Sequence, residues 1–214
     1  MSRQVTFHSE VSISSGEDET LRLAVIGDSR VGKSTIVARL FKHWTELTSC
    51  SKQKGKTGAD ALGIQGRDVI VDIVDTPTKK CLSFMQRPPS CDVYVLVYSL
   101  VCDESFESAV AAREQIIRLR GPKVPIVFVA NKTDIADSVD KTERVYRDLN
   151  ISCEWENGHV EISAEKDTSV LPVLEQIMRR HHKYVSPIDR KENLSGLKGR
   201  IVSIKKLFSK TKRD

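Results

Sequence analysis

Short apolar runs and longer amphipathic stretches take turns along this chain. LRLAVI (Leu21–Ile26), CDVYVLVYSL (Cys91–Leu100) and PIVFVAN (Pro125–Asn131) are apolar runs of strand length, the pattern of strands buried on both faces. ALGIQGRDVIVDIVD (Ala61–Asp75) predicts a hairpin with Gln65 and Gly66 at the turn. VEIS (Val160–Ser163) predicts a further short strand. Helical spacing fills the intervals. Ser34–Trp44 places Ile36, Val37, Leu40 and Phe41 on one face. Ser105–Gly121 ends on a glycine with Pro122 beyond it, and Ser169–Val185 forms a closing helix. The Lys-, Ser- and Gly-rich stretch Ser49–Asp60 reads as a mobile loop.

The chain has 214 residues, enough for one domain with tails. The domain is expected over residues 21–185, and about 165 residues bury a sizeable core. Residues 1–20 carry Arg3, Glu10, Glu17, Asp18 and Glu19 and no long apolar run. They are expected to be a flexible polar tail rather than a signal peptide. No run of 18 apolar residues is present to span a membrane. Cys50, Cys81, Cys91, Cys102 and Cys153 are odd in number and follow no pairing or zinc spacing. That fits reduced thiols in a cytoplasmic protein.

The first chemistry lies between the first strand and the first helix. Gly27, Asp28, Ser29, Arg30, Val31, Gly32, Lys33 and Ser34, followed by Thr35, fit G-x-x-x-x-G-K-[ST]. Glycines let the backbone wrap around phosphate oxygens with its N–H groups pointing inward. Lys33 would reach the β- and γ-phosphates, and the Ser34 hydroxyl would bind Mg²⁺. The helix N-terminus behind the loop adds its dipole to anion binding.

The base is specified about a hundred residues later. Pro125–Asp134 ends in Asn131, Lys132, Thr133 and Asp134. A carboxylate at a strand end accepts both N1–H and the exocyclic amine of guanine, and adenine has no such donor pair. The Lys132 stem can lie along the base, and Asn131 can tie this loop to the phosphate loop. Ser163, Ala164 and Glu165 end another strand, from which backbone could touch the guanine carbonyl. The ligands expected are GTP and GDP with Mg²⁺.

With these motifs in order, the chain resembles the Ras-like small GTPases over roughly Leu21–Val185. The resemblance rests on GDSRVGKST (27–35), IVDTP (73–77), NKTD (131–134) and ISAE (162–165). It implies an α/β P-loop NTPase of the Ras-like G-domain kind. The sheet would have six mostly parallel strands, helices on both faces and nucleotide at the carboxyl ends of the strands. It also makes Asp75 a Mg²⁺ holder through water. Within the family the chain is similar to the Rad/Gem/Kir group. The shared features are a degenerate hydrolysis motif, a basic C-terminal extension containing LKGRIVSIKKLF, and no terminal prenylation cysteine.

The departures bear on activity. Where the family has Asp-x-x-Gly-Gln, this chain has Asp75-Thr76-Pro77-Thr78-Lys79. Thr78 after a proline is stiffer than glycine, and Lys79 is a donor only, unlike the glutamine that orients the attacking water. Ser29 and Arg30 stand where members with good hydrolysis commonly keep glycine. Phosphate binding is expected and hydrolysis is expected to be slow or absent. The first-switch threonine has no clear counterpart. Lys52 or Gln53 occupies the expected position, with Thr48, Ser49, Ser51 and Thr57 nearby. Trp44 is a candidate to cover the guanine, with ordinary packing as the stronger alternative.

Charge is concentrated at the C-terminus. Residues 179–214 hold twelve Lys or Arg and three acids, a net +9, so the remainder carries −4 within a whole-chain charge of +5. Ser186–Gly196 reads as a linker to a basic extension within residues 186–214. In it Leu197, Ile201, Ile204 and Phe208 recur at i, i+4, i+7 and i+11 among basic residues. That is the pattern of a basic amphipathic helix, suited to an anionic membrane surface or to calmodulin. A solvated basic tail has the same composition. The expectation is a monomer on the inner face of the plasma membrane, bound there through residues 194–213, with no nucleic-acid partner. Two function classes follow: a guanine-nucleotide-binding signalling regulator with weak turnover, or an active P-loop enzyme, either a GTPase that hydrolyses GTP with partner help or a nucleotide kinase, against whose use of ATP the NKTD motif argues.

Overall fold

The computed structural model describes residues 2–7, 21–49, 69–75, 90–137, 139–166 and 170–185. Its strands are β1 (Ser2–Phe7), β2 (Leu21–Gly27), β3 (Val69–Asp75), β4 (Val93–Ser99), β5 (Ile126–Asn131) and β6 (Gly158–Glu161). Its helices are α1 (Lys33–Ser49), α2 (Asp103–Arg120), α3 (Lys141–Leu149) and α4 (Leu171–Val185). A single 3₁₀ turn covers Thr133–Ile135, and a π turn covers Asn150–Glu154 after α3.

The sheet order is β1-β3-β2-β4-β5-β6. From β3 to β6 every pairing is parallel, and β1 runs antiparallel to β3. The alternation of residues along the central strands divides the interior in two, because successive side chains leave a strand on opposite faces. Val25, Val95, Val97, Val127 and Val129 meet Ile36, Val37, Leu40 and Trp44 of α1 and Val173, Leu174 and Ile177 of α4. Ala24, Ile26, Tyr94, Leu96, Tyr98 and Phe128 meet Ala109, Ala112 and Ile116 of α2 on the other side. Trp44 is 7 % exposed within the first of these clusters, so its role is packing, and Phe41 is only half-buried.

Two expectations are corrected. Residues 1–20 are not wholly a tail, since Ser2–Phe7 pairs with β3 in the register Ser2↔Val74 to Phe7↔Val69. The physical reason lies in SRQVTF itself. Val5, Thr6 and Phe7 favour extended backbone, and β3 would otherwise present an open ladder of N–H and C=O groups. The antiparallel neighbour of β3 is therefore β1, not the first arm of the expected hairpin. That arm and its Gln65-Gly66 turn lie outside the described residues, as do residues 50–60, Thr76–Lys79 and 186–214.

Element ends follow local chemistry. α2 stops at Gly121, whose φ of 91° needs a glycine and whose N–H returns to the Ile117 carbonyl at 2.8 Å. The Asp140 side chain caps α3 by accepting from the Thr142 N–H at 2.8 Å.

Among the described residues Cys91, Cys102 and Cys153 are free thiols. Burial pushes the Cys91 thiol up to about 12, whereas Cys153 is exposed. A raised thiol pKa leaves almost no thiolate at pH 8, and thiolate is the reactive form. Iodoacetamide at pH 8 should therefore alkylate Cys153 well before Cys91. Peptide mass spectrometry over time checks the order, and equal rates would contradict the burial of Cys91.

Candidate nucleotide-binding site

β2 delivers the phosphate loop. Gly27 ends the strand beside Asp75 of β3 and Val97 of β4. A Cβ on Gly27 would stand 2.2 Å from the Val97 carbonyl oxygen, so β4 leaves room only for glycine there. Val31 turns inward into the core, and Ser29 and Arg30 stay exposed at the top of the loop. Arg30 has φ of 63°, a left-handed conformation that costs a non-glycine residue about 1 kcal/mol or more. Helix α1 begins at Lys33, with the Ile36 N–H bonded to the Gly32 carbonyl at 3.0 Å. Ser34 and Thr35 lie exposed in its first turn.

Lys33 is buried, and its Nζ donates to the carbonyls of Gly27 at 2.9 Å and Asp28 at 2.7 Å. The loop's own carbonyls thus fold the ammonium over the loop, where it can meet phosphate oxygens. Cation, helix N-terminus and glycine-lined backbone together make a donor set that fits a polyphosphate.

β5 delivers the base-recognition loop. Asn131 ends the strand only 3 % exposed. Its Nδ2 donates to the Val31 carbonyl at 2.7 Å, and its Oδ1 accepts from the Ala164 N–H at 2.8 Å. Gly32, with φ of 97°, passes so close that a Cβ would lie 2.2 Å from Asn131 Nδ2. Lys132 then takes φ of 68°, which turns the chain into the Thr133–Ile135 turn carrying Asp134. Ser163 Oγ donates to Asp134 Oδ1 at 2.7 Å, and this bond is the first cause that holds the carboxyl below its usual range. Asp134 therefore remains an ionised acceptor, as pairing with two guanine donors requires.

These pairings go partly beyond the sequence reading. The Ala164 amide donates to the Asn131 side chain, which ties the loop after β6 to the loop after β5. Ser163 adds a side-chain bond to Asp134 that the motif spacing does not mark. Glu165 contributes a carbonyl that accepts from Arg39 of α1 at 2.7 Å. Nothing in the spacing marks Arg39, because the contact spans from α1 to the loop after β6. The backbone of Asp75 ends β3 level with Gly27. The first-switch candidates Ser51, Lys52, Gln53 and Thr57 and the second-switch Thr78 and Lys79 lie outside the described residues.

A sequence model of the Ras family matches residues 22–183. The chain belongs to the Ras family. It is 28 % identical to Ras-like protein rasV of Dictyostelium discoideum over 193 residues, 87 % of this chain and 78 % of that protein. It is 28 % identical to GTP-binding protein rhb1 of Schizosaccharomyces pombe over 170 residues, 78 % of this chain and 90 % of that one. It is 29 % identical to GTP-binding protein Rhes of Mus musculus over 165 residues, 70 % of this chain and 60 % of Rhes. Family membership makes this an α/β Ras-like domain and a guanine-nucleotide-binding signalling protein.

For this Ras-family domain the Asn131 bonds and the Ser163–Asp134 bond should be separable. Asn131→Ala strands a buried carbonyl and a buried N–H, at about 1–3 kcal/mol each. Urea unfolding of the full chain should show a loss of roughly 2–6 kcal/mol, and a loss below measurement error would mean that water replaces the side chain. Ser163→Ala should raise the Asp134 pKa toward its ordinary value. A carboxyl ¹³C titration reads it directly, and an unmoved midpoint would remove Ser163 from the account.

Proposed function

We propose that this Ras-family protein binds GTP and GDP with Mg²⁺ but turns GTP over slowly or not at all, acting as a regulator through partners. The observation that carries the reading is Arg30, a long cation in a strained left-handed position at the top of the phosphate loop. With Ser29 it would crowd the place where an attacking water or a partner's arginine must sit. The sequence adds Thr78 and Lys79 in place of the hinge glycine and the water-positioning glutamine. A glutamine and a partner's arginine together are worth up to about 10⁵-fold in the best-studied case. In this proposal Gly27–Thr35 cradle the phosphates, Ser34 and Asp75 hold Mg²⁺, and Asn131, Lys132 and Asp134 read guanine with Ser163, Ala164 and Glu165 behind them.

The basic extension supplies the address. Leu197, Ile201, Ile204 and Phe208 would enter an anionic leaflet with lysines and arginines around them, each basic residue worth about 1 kcal/mol near the surface. Calcium–calmodulin would compete for the same face. This combination is also the likeness to the Rad/Gem/Kir group.

Displacement of a fluorescent guanine nucleotide tests specificity. GDP and GTP should compete at micromolar levels or below and ATP should not, and Lys33→Ala and Asp134→Ala should each abolish binding. Equal competition by ATP would falsify the guanine reading. Single-turnover hydrolysis should be slower than about once per minute, and Lys79→Gln combined with Arg30→Gly should raise it. A fast wild-type rate would return the protein to the class of active GTPase switches. For the extension, the full chain should bind phosphatidylserine vesicles less tightly as salt rises, since charges are screened beyond about 8 Å at physiological ionic strength. Salt-independent binding would exclude an electrostatic address.

A further inference from the structure

Helix α3 turns its two arginines inward and its apolar residues outward. On its inner side the Arg147 side chain is 7 % exposed. Its guanidinium lies 4.7 Å above the Phe106 ring and 2.7 Å from the Asp103 carboxylate, and it also pairs with Glu143. Arg144 pairs with Glu161 of β6. On its outer side Val145, Tyr146 and Leu149 are 58 %, 63 % and 47 % exposed. A surface helix normally turns its apolar stripe to the core. A single exposed apolar residue needs no explanation, but three neighbours on a reversed helix form a patch suited to binding.

Acids gather at the carboxyl end of this helix. The Asp148 side chain is 56 % exposed and binds His159 Nδ1 at 2.7 Å. Glu154 and Glu156 follow on the exposed turn after the helix, whose carbonyl end adds partial negative charge.

We propose that the face formed by Val145, Tyr146 and Leu149 docks the chain's own basic amphipathic segment, Leu197–Phe208. The inference rests on reading that segment as an amphipathic helix. Three observations select it as the occupant. It pairs an apolar stripe with basic residues, the complement of an apolar face with acids at its carboxyl end. It is also within reach. α4 ends at Val185, and near that end Arg180 binds the Glu156 carbonyl and Lys183 lies 3.3 Å from the Glu156 carboxylate. Glu156 is joined to the foot of α3 by the Trp155 N–H bonded to the Asn150 carbonyl at 2.9 Å and the Asn157 N–H bonded to Ile151 at 2.9 Å. The eleven residues Ser186–Gly196 span up to about 35 Å, and α3 is only about 13 Å long. Finally, the patch is small. Separate molecules need about 1,200–2,000 Å² of buried surface, whereas a tethered segment meets its site at about millimolar effective concentration.

The apolar stripe cannot face α3 and lipid together. Docking therefore withholds the segment from a membrane, and an anionic surface pulls it off the helix.

The test places the photoreactive residue p-benzoylphenylalanine at position 146 of the full-length chain, with retained nucleotide binding as the folding control. Irradiation should give a product of monomer mass whose cross-linked peptide maps to residues 197–208. The yield should fall about tenfold in Ile201→Asp with Ile204→Asp, because two apolar side chains leave the contact. It should fall again when phosphatidylserine vesicles are added. A product of dimer mass would assign the face to a second copy and overturn the proposal. So would the absence of a tail adduct, or a tail adduct indifferent to the aspartates. Vesicle binding without any cross-link would leave the membrane address standing and remove the docking. A cross-link in a chain that ignores vesicles would do the reverse.

Discussion

The Asn131 carboxamide is the joint on which the site depends. It donates to the phosphate loop at Val31 and accepts from the loop after β6 at Ala164. Its main-chain carbonyl accepts from the Leu100 N–H after β4 at 3.0 Å. Segments following β2, β4, β5 and β6 are thus held by one buried residue. Only an amide side chain offers a donor and an acceptor in this fork. Aspartate lacks the donor, and leucine would leave two buried polar groups unpaired. Gly32 follows from the same joint, because any Cβ there would collide with the carboxamide.

The sheet makes such a joint possible. Parallel strands place their carboxyl ends side by side, and strand order reverses around β2, whose neighbours β3 and β4 are reached by connections running in opposite directions. That is the switch point at which open α/β sheets hold ligands. Valines fill one face and larger side chains the other, so α1 with α4 and α2 press on a rigid support. Against this rigidity Arg30 stands out. Its left-handed backbone is a local cost at the loop that must adapt to phosphate chemistry.

Away from the nucleotide end, polar specification replaces apolar packing. Arg147 and Arg144 fasten α3 to α2 and β6 through Asp103 and Glu161. The Arg147 side chain is buried, so leaving its guanidinium unpaired there would be costly, and that penalises misplacement of the helix. The helix is therefore fixed in orientation without using its apolar residues, and these remain outside. His159 stacks on Tyr98, and its Nε2 lies 3.1 Å from the Tyr98 hydroxyl, which completes a polar seam between β6 and the α2 side of the core.

Much of this protein is legible in its sequence. Gly27–Thr35 and Asn131–Asp134 are local signals, since backbone wrapping and a strand-end carboxylate need only neighbouring residues. The apolar runs of β2, β4 and β5 announce burial on both faces without reference to any partner. Other features depend on contacts between distant segments, and no local period encodes them. The pairing of Ser2–Phe7 with β3 required an edge to exist first. The Ala164 amide and the Ser163 hydroxyl found partners only when the loops after β5 and β6 were brought together. Arg39 meets Glu165 across 126 positions of chain. The direction of α3 was least legible. Val145 and Leu149 have core-facing spacing, yet the acids placed by α2 and β6 draw Arg147 and Arg144 inward and turn the apolar face to solvent. Spacing defines that a helix has two faces; only the charges waiting on its neighbours decide which face is buried.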